Sequence, residues 1–202
     1  LHHFTNPQWL LERGGWVRPD SADRFARYVR RVSEALGDAV RYWITINEPM
    51  VYVRMHYIQG LGPPGAQDLR QGLQAIQHLL RAHAEAYRIL HAARHDCRVS
   101  VAQYVPVFRP CRRFWPMDRW ASSLADRVFN GAVFDTLTQG RWSLPGAAGW
   151  AIPEARGTLD FLGVNFYGRQ FVRWIPSLRG LPGRGCDLAR RRPADSSGGR
   201  RP

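Results

Sequence analysis

The stretch YWITINEP at residues 42–49 constrains the fold more than any other part of the chain. Five of its first six residues are β-branched or aromatic, which is typical of a strand buried on both faces. Pro49 cannot donate to a β-ladder, so we expect the strand to stop at Asn47 and Glu48. In α/β barrels, the loops that follow the parallel strands carry the chemistry. Glu48 is therefore a candidate catalytic acid, and the alternative is a solvated acid at a strand end.

Strand and helix patterns alternate along the chain. Apolar residues at helical spacing predict three helices, at residues 20–36, 71–94 and 118–138. Short β-branched and aromatic runs predict four strands or strand ends, at residues 1–5, 40–46, 99–104 and 159–167. The stretches 9–16 and 51–68 are predicted as loops. This alternation predicts an α/β fold, with a parallel sheet and helical crossovers.

The pattern ends near residue 173. Residues 174–202 are rich in Arg, Gly and Pro and carry almost no apolar periodicity. Such a composition buries too little surface to offset the entropy of ordering the chain. We therefore predict one domain over residues 1–173 and a disordered tail over residues 174–202.

The formal net charge is +13, which would suit a nucleic-acid or membrane partner. All 29 basic residues are Arg, however, a bias that indicates a GC-rich coding sequence more than a selected binding surface. Nucleic-acid binding stays open as a weaker hypothesis. The three cysteines show no Cys-x-x-Cys or Cys/His ligand spacing, so no disulfide framework, metal or cofactor is expected. We expect a cytoplasmic protein without a membrane span.

Three segments carry a family resemblance, in the same order and at similar spacing. They are LHHFTNPQWL at residues 1–10 with a following GGW, TINEP at residues 45–49, and DFLGVNFY at residues 160–167. Together they resemble the third, fourth and sixth strands of glycoside hydrolase family 1, the β-glucosidase and β-galactosidase family of (β/α)8 barrels. The resemblance implies an incomplete TIM (β/α)8 barrel of about four parallel strands with flanking helices.

The resemblance also implies roles for the matched positions. Glu48 would be the general acid that protonates the departing glycosidic oxygen, and then the base that activates water. Asn47 would bind the sugar 2-hydroxyl, and His3 would bind another hydroxyl of the same sugar. Asn165 and Tyr167 would orient a nucleophilic carboxylate. The open alternatives are a strand-end histidine for His3 and a core aromatic for Tyr167.

A second carboxylate is missing from the expected place. Retaining glycosidases hold two carboxyl groups about 5–5.5 Å apart, and in this family the nucleophile lies in a Thr/Ser-Glu-Asn-Gly-type motif at the seventh strand. The sequence contains no such motif. Its other glutamates are predicted away from strand ends, at Glu12 in a loop, Glu34 and Glu85 in helices, and Glu154 before the last strand.

Two functional hypotheses follow. The first is a retaining, β-glucosidase-like fragment that acts on a β-linked glucoside or related small saccharide but is inactive by itself. The second is a non-catalytic half-barrel that binds sugar or self-associates. An isolated half-barrel has two unpaired edges and an exposed apolar lumen, both of which favour association. A homodimer that closes one pseudo-barrel is the expected form of that association.

Overall fold

The structure is a computed structural model that describes residues 1–144, 147–175 and 184–185. The described residues form eight strands: β1 Tyr42–Asn47, β2 Arg98–Tyr104, β3 Val107–Pro110, β4 Arg141–Leu144, β5 Ala147–Ala151, β6 Gly163–Asn165, β7 Arg169–Arg173 and β8 Arg184–Gly185. They also form six α-helices: α1 Gln8–Glu12, α2 Ser21–Leu36, α3 Pro49–Val53, α4 Leu69–Ala93, α5 Pro116–Asp126 and α6 Ala132–Gln139. Two π-helical turns, Arg54–Ile58 and Arg127–Gly131, extend α3 and join α5 to α6.

The main sheet is parallel and has the strand order β1-β2-β6. On the other side of β1, His2 makes a parallel bridge with Ile46, so a fourth strand position continues the sheet. Helix α4 connects β1 to β2, and α5 and α6 lie between β2 and β6. The predicted α/β architecture is confirmed: about four parallel strands with flanking helices form part of a barrel.

The hydrophobic core lies between this sheet and the helices that cover it. Val99 and Val101 of β2 and Ile46 of β1 are almost fully buried. Helix α4 brings Leu79 against them, and α2 packs on α4 with Val29 fully buried. The sheet therefore has a rigid, packed support on its helical face.

The charges of α2 follow its amphipathic pattern. Phe25 and Val29 lie one turn apart on the buried face, whereas Arg27, Arg30 and Arg31 are exposed. These arginines form a solvated helix face of the kind that the repeating pattern predicts.

Side-chain capping differs between the two long helices. The Asp68 carboxylate accepts a hydrogen bond of 2.7 Å from the Arg70 amide and so caps α4. Asp20 directly precedes α2, yet its side chain makes no such bond. Its carboxylate instead pairs with Arg18 and Arg24, which also holds the pKa of Asp20 at about 2.

Several local predictions were wrong. The stretches predicted as loops contain α1, α3 and a π-helical turn, because short helices leave little periodicity to detect. The last predicted strand is regular only over β6. The antiparallel hairpin β4-β5 and the parallel pair β3-β7 were not predicted, since each strand is only four or five residues long.

Most of the predicted tail lies outside the described residues, so its disorder and the domain boundary stay predictions. Residues 184–185 form β8, which pairs with β7. The spacing of the cysteines predicted no disulfide framework, but Cys111 is disulfide-bonded, whereas Cys97 is a buried free thiol. No helix in the described part of the chain has both the length and the apolarity needed to cross a membrane.

Candidate active site

Glu48 follows β1 directly, in an unusual backbone conformation. Its φ and ψ angles are 46° and 60°, the left-handed region that few residues other than glycine adopt. The Glu48 amide donates to the carbonyl of Ala102 on the neighbouring strand, at 2.6 Å. Pro49 then opens α3. The turn is therefore fixed from both sides, and backbone strain of this kind concentrates at functional sites.

Four of the five predicted site residues lie together. The side-chain amide of Asn165 donates to Glu48 Oε1 at 2.7 Å and to Asn47 Oδ1 at 3.1 Å. Asn47 Nδ2 in turn lies 3.4 Å from His3 Nε2. A chain of polar contacts thus links Asn165 of β6 to Asn47 and Glu48 at the end of β1, and Asn47 to His3 in the segment that bridges the other edge of β1.

The site contains both buried and solvent-exposed side chains. Glu48 and Asn47 are only 7% and 8% exposed, whereas His3 is exposed. A carboxyl group held in this way can donate a proton to a ligand that enters from the exposed side, or accept a proton from it. The neighbouring amides and the imidazole can form hydrogen bonds with hydroxyl groups of that ligand.

Tyr167 lies apart from this chain of contacts. Its side chain is 77% exposed, and its ring centroid lies 5.4 Å from that of Tyr104. Gln170 donates to the Tyr104 hydroxyl, so β7 stands beside the same aromatic pair. The predicted role of Tyr167 stays a prediction.

The remaining glutamates are engaged elsewhere. Their partners are Gln8 for Glu12, Arg31 for Glu34, Arg88 for Glu85 and Arg81 for Glu154. All five glutamates of the chain lie in its described part, and none of these four contacts Glu48. The described residues also contain no group of three or more side chains suited to hold a metal ion.

The sequence did not predict the residues that pack against the turn after His3 and support the site. Phe4 also has a positive φ, of 66°, and it follows His3 directly. The buried residues Tyr52 and His2 and the partly buried Asn6 form a polar cluster beside this turn. Burial lowers the pKa of His2 to about 4, so His2 is neutral at pH 7. The only available signal was the position of Tyr52, one helical turn after Glu48.

Comparison with known proteins identifies the family. Residues 1–180 match the model of Glycosyl hydrolase family 1. The chain belongs to glycosyl hydrolase family 1. This membership confirms the resemblance drawn from the three sequence segments.

Curated relatives of this family 1 chain are β-glycosidases by name. The 1,4-beta-D-glucan glucohydrolase of Thermotoga neapolitana is 28% identical over 187 residues, which are 88% of this chain and 44% of the relative. The beta-galactosidase of Pyrococcus woesei is 30% identical over 201 residues, 86% of this chain and 39% of the relative.

Solved family 1 structures agree with the fold. The beta-glycosidase from Pyrococcus horikoshii superposes with a TM-score of 0.84 at 31% identity, over 95% of this chain and 44% of that chain. The beta-glucosidase from Thermotoga maritima in complex with deoxynojirimycin gives a TM-score of 0.81 at 25% identity, with coverages of 93% and 44%. The chain therefore spans less than half of the length of these relatives.

Proposed function

We propose that this chain supplies the acid/base half of a β-glycosidase active site, with a β-linked glucoside or related small saccharide as substrate. The observation that carries the proposal is the Glu48 carboxylate, buried at the end of a central parallel strand and held by Asn165 at 2.7 Å. Glu48 would protonate the departing glycosidic oxygen and then take a proton from the attacking water.

The neighbouring side chains suit the sugar. Asn47 and His3 lie on the same polar chain of contacts as Glu48, so both can reach hydroxyl groups of one sugar ring. A hydrogen bond from Asn47 to the 2-hydroxyl would strengthen as the ring approaches an oxocarbenium ion. The membership in family 1 supports this assignment of roles.

Hydrolysis with retention needs a second carboxylate about 5–5.5 Å from the first. Each of the other four glutamates has its own partner away from Glu48. The nucleophile would therefore come from a segment outside this sequence, and the chain by itself would bind a sugar without turning it over.

Sugar binding gives the direct test. Deoxynojirimycin is an imino sugar whose ring nitrogen is a base, so a carboxylate in the site should attract its protonated form. Because hydrogen bonds to charged groups contribute about 1.5–3 kcal/mol, we expect Glu48→Gln to weaken binding at least about tenfold. Isothermal titration calorimetry with the full chain measures this difference.

Glu85→Gln is the matched control, because Glu85 forms an exposed ion pair with Arg88 on α4 and should leave the affinity unchanged. Equal affinities for wild type and Glu48→Gln, or no binding by the wild type, would contradict the proposed role of Glu48.

A second candidate function, self-association of a non-catalytic half-barrel, is favoured by a separate observation. Leu162 immediately precedes β6, Val164 lies within it and Phe166 immediately follows it, so the three apolar residues lie together at this edge of the main sheet. They are 57%, 49% and 58% exposed. An edge strand with such exposed apolar residues favours pairing with another chain, and two four-stranded halves would supply eight strands.

We expect the chain to be a dimer, with Val164→Arg converting it to a monomer because a charge would be buried in the interface. Size-exclusion chromatography with light scattering gives the mass. Leu36→Arg on α2 is a matched control, since Leu36 is equally exposed at 49% but lies on a helix end. A monomeric wild type would rule out this second function.

A further inference from the structure

Two turns carry the site, and both have the same unusual backbone. Phe4 and Glu48 are the two non-glycine residues with positive φ in the described part of the chain. Phe4 follows His3, and Glu48 follows Asn47. Left-handed conformations of such residues cost about 1–3 kcal/mol and persist only when surrounding contacts hold them. The two turns therefore need contacts that hold them in place relative to each other.

Tyr52 contacts both turns. Its amide donates to the Glu48 carbonyl at 2.9 Å, which is the first hydrogen bond of α3. Its fully buried ring lies 6.1 Å from that of Phe4 and stacks on His56 at 4.4 Å. The backbone of Tyr52 therefore belongs to the Glu48 turn, whereas its side chain lies under the His3 turn.

The hydroxyl of Tyr52 makes a specific bond to the His3 turn. Asn6 Nδ2 donates to it at 2.7 Å. The orientation of the Asn6 amide is fixed, because the Trp16 indole N–H can only donate and contacts Asn6 Oδ1 at 2.9 Å. His2 Nε2 lies 3.2 Å from the same oxygen. The Nδ2 group of Asn6 is thus the donor, and the Tyr52 hydroxyl accepts a hydrogen bond from one of its two N–H groups.

We propose that Tyr52 is a positioning residue whose hydroxyl, through Asn6, fixes the His3 turn relative to the Glu48 turn. Loss of the hydroxyl leaves a partly buried amide N–H without its partner, which favours a movement of Asn6 toward another acceptor. The Asn47 amide donates to the His2 carbonyl at 2.9 Å, so the backbone stays in place. The movement would change the side-chain contact of His3 with Asn47, which is a single bond of 3.4 Å. For the roles of His3 and Glu48, this inference rests on the proposed function.

The test is Tyr52→Phe in the full chain, observed through the histidine side chains. In the wild type, Asn47 Nδ2 donates to His3 Nε2, which sets the ring-nitrogen resonances of His3. Proton–nitrogen NMR spectra of the imidazoles should show a shift of the His3 signals in Tyr52→Phe. The affinity for deoxynojirimycin should fall about five- to tenfold.

Tyr87→Phe is the matched control. The Tyr87 hydroxyl on α4 donates to the Asp160 carboxylate at 2.7 Å and makes no bond to the His3 turn. We expect this variant to leave the His3 signals unchanged. In an Asn6→Ala background, Tyr52→Phe should add no further shift, because the route through Asn6 is already lost.

Unchanged His3 signals in Tyr52→Phe, or the same shift in Tyr87→Phe, would overturn the inference. The spectra need no bound sugar. A wild type that fails to bind deoxynojirimycin would therefore count against the proposed function, while the His3 signals would still decide the role of Tyr52.

Discussion

Replacing Glu48 with Gln in a complete barrel is expected to slow the hydrolysis of an alkyl β-glucoside by a factor of about 10²–10⁴, the usual contribution of a general acid. An alkoxide is a poor leaving group and needs a proton as the bond breaks. A dinitrophenolate leaves without one, so the same variant should lose much less activity in the glycosylation step with a dinitrophenyl β-glucoside. The contrast between these substrates identifies the acid.

The complete barrel can be made as a chimera. Residues 1–175 would replace the matching segment of the Pyrococcus horikoshii beta-glycosidase, which superposes on 95% of this chain and supplies the rest of its own barrel. The wild-type chimera, checked for folding by circular dichroism, is the reference for kcat/KM.

Glu154→Gln in the same chimera is the control, since Glu154 pairs with Arg81 on the helical side of the sheet and should not affect turnover. Equal losses for both substrates in Glu48→Gln, or no loss for either, would show that Glu48 is not the proton donor.

Stability is expected to fall steeply in mild acid, because two histidines are buried in neutral form. Burial lowers the pKa of His2 and of His83 from 6.5 to about 4. His83 is fully buried, 2.7 Å from both the Thr45 hydroxyl and the Thr158 carbonyl. The carbonyl can only accept, so His83 Nε2 carries the proton and Nδ1 accepts from Thr45.

The sign of this change in stability follows from the number of protons that the folded and unfolded chains bind. Between pH 6.5 and 4 the unfolded chain binds a proton at each histidine and the folded chain does not, so the free energy of unfolding decreases as the pH falls. From pH 7.5 to pH 5 we expect a loss of about 2 kcal/mol for each histidine. Urea unfolding followed by circular dichroism at a series of pH values measures it.

His83→Gln separates this effect from general charge repulsion. The variant lacks the titrating group but keeps the net charge at neutral pH, so it should be less stable at pH 7.5 and lose about 2 kcal/mol less on going to pH 5. Parallel pH profiles for wild type and variant would contradict the assignment to His83.

The sequence predicted the parts of the site that follow from local pattern. The β-branched run of β1, ended by Pro49, placed Glu48 at a strand end, and the family resemblance added His3, Asn47 and Asn165. Parallel strands present their carboxyl ends at the same edge, so these side chains were expected to meet. The contacts of 2.7 to 3.4 Å among them agree with that expectation.

By itself, therefore, the sequence determined the family, the parallel sheet and the position of Glu48 at a strand end, because periodicity and short motifs are local properties. Only the tertiary structure decided how the site is supported. The contacts of Glu48 with Ala102 and Asn165, the bond of the Tyr52 hydroxyl to Asn6 and the burial of His83 against Thr45 join residues more than thirty positions apart. The local sequence pattern cannot predict such contacts, because their energies depend on which distant groups lie in the same buried region of the fold.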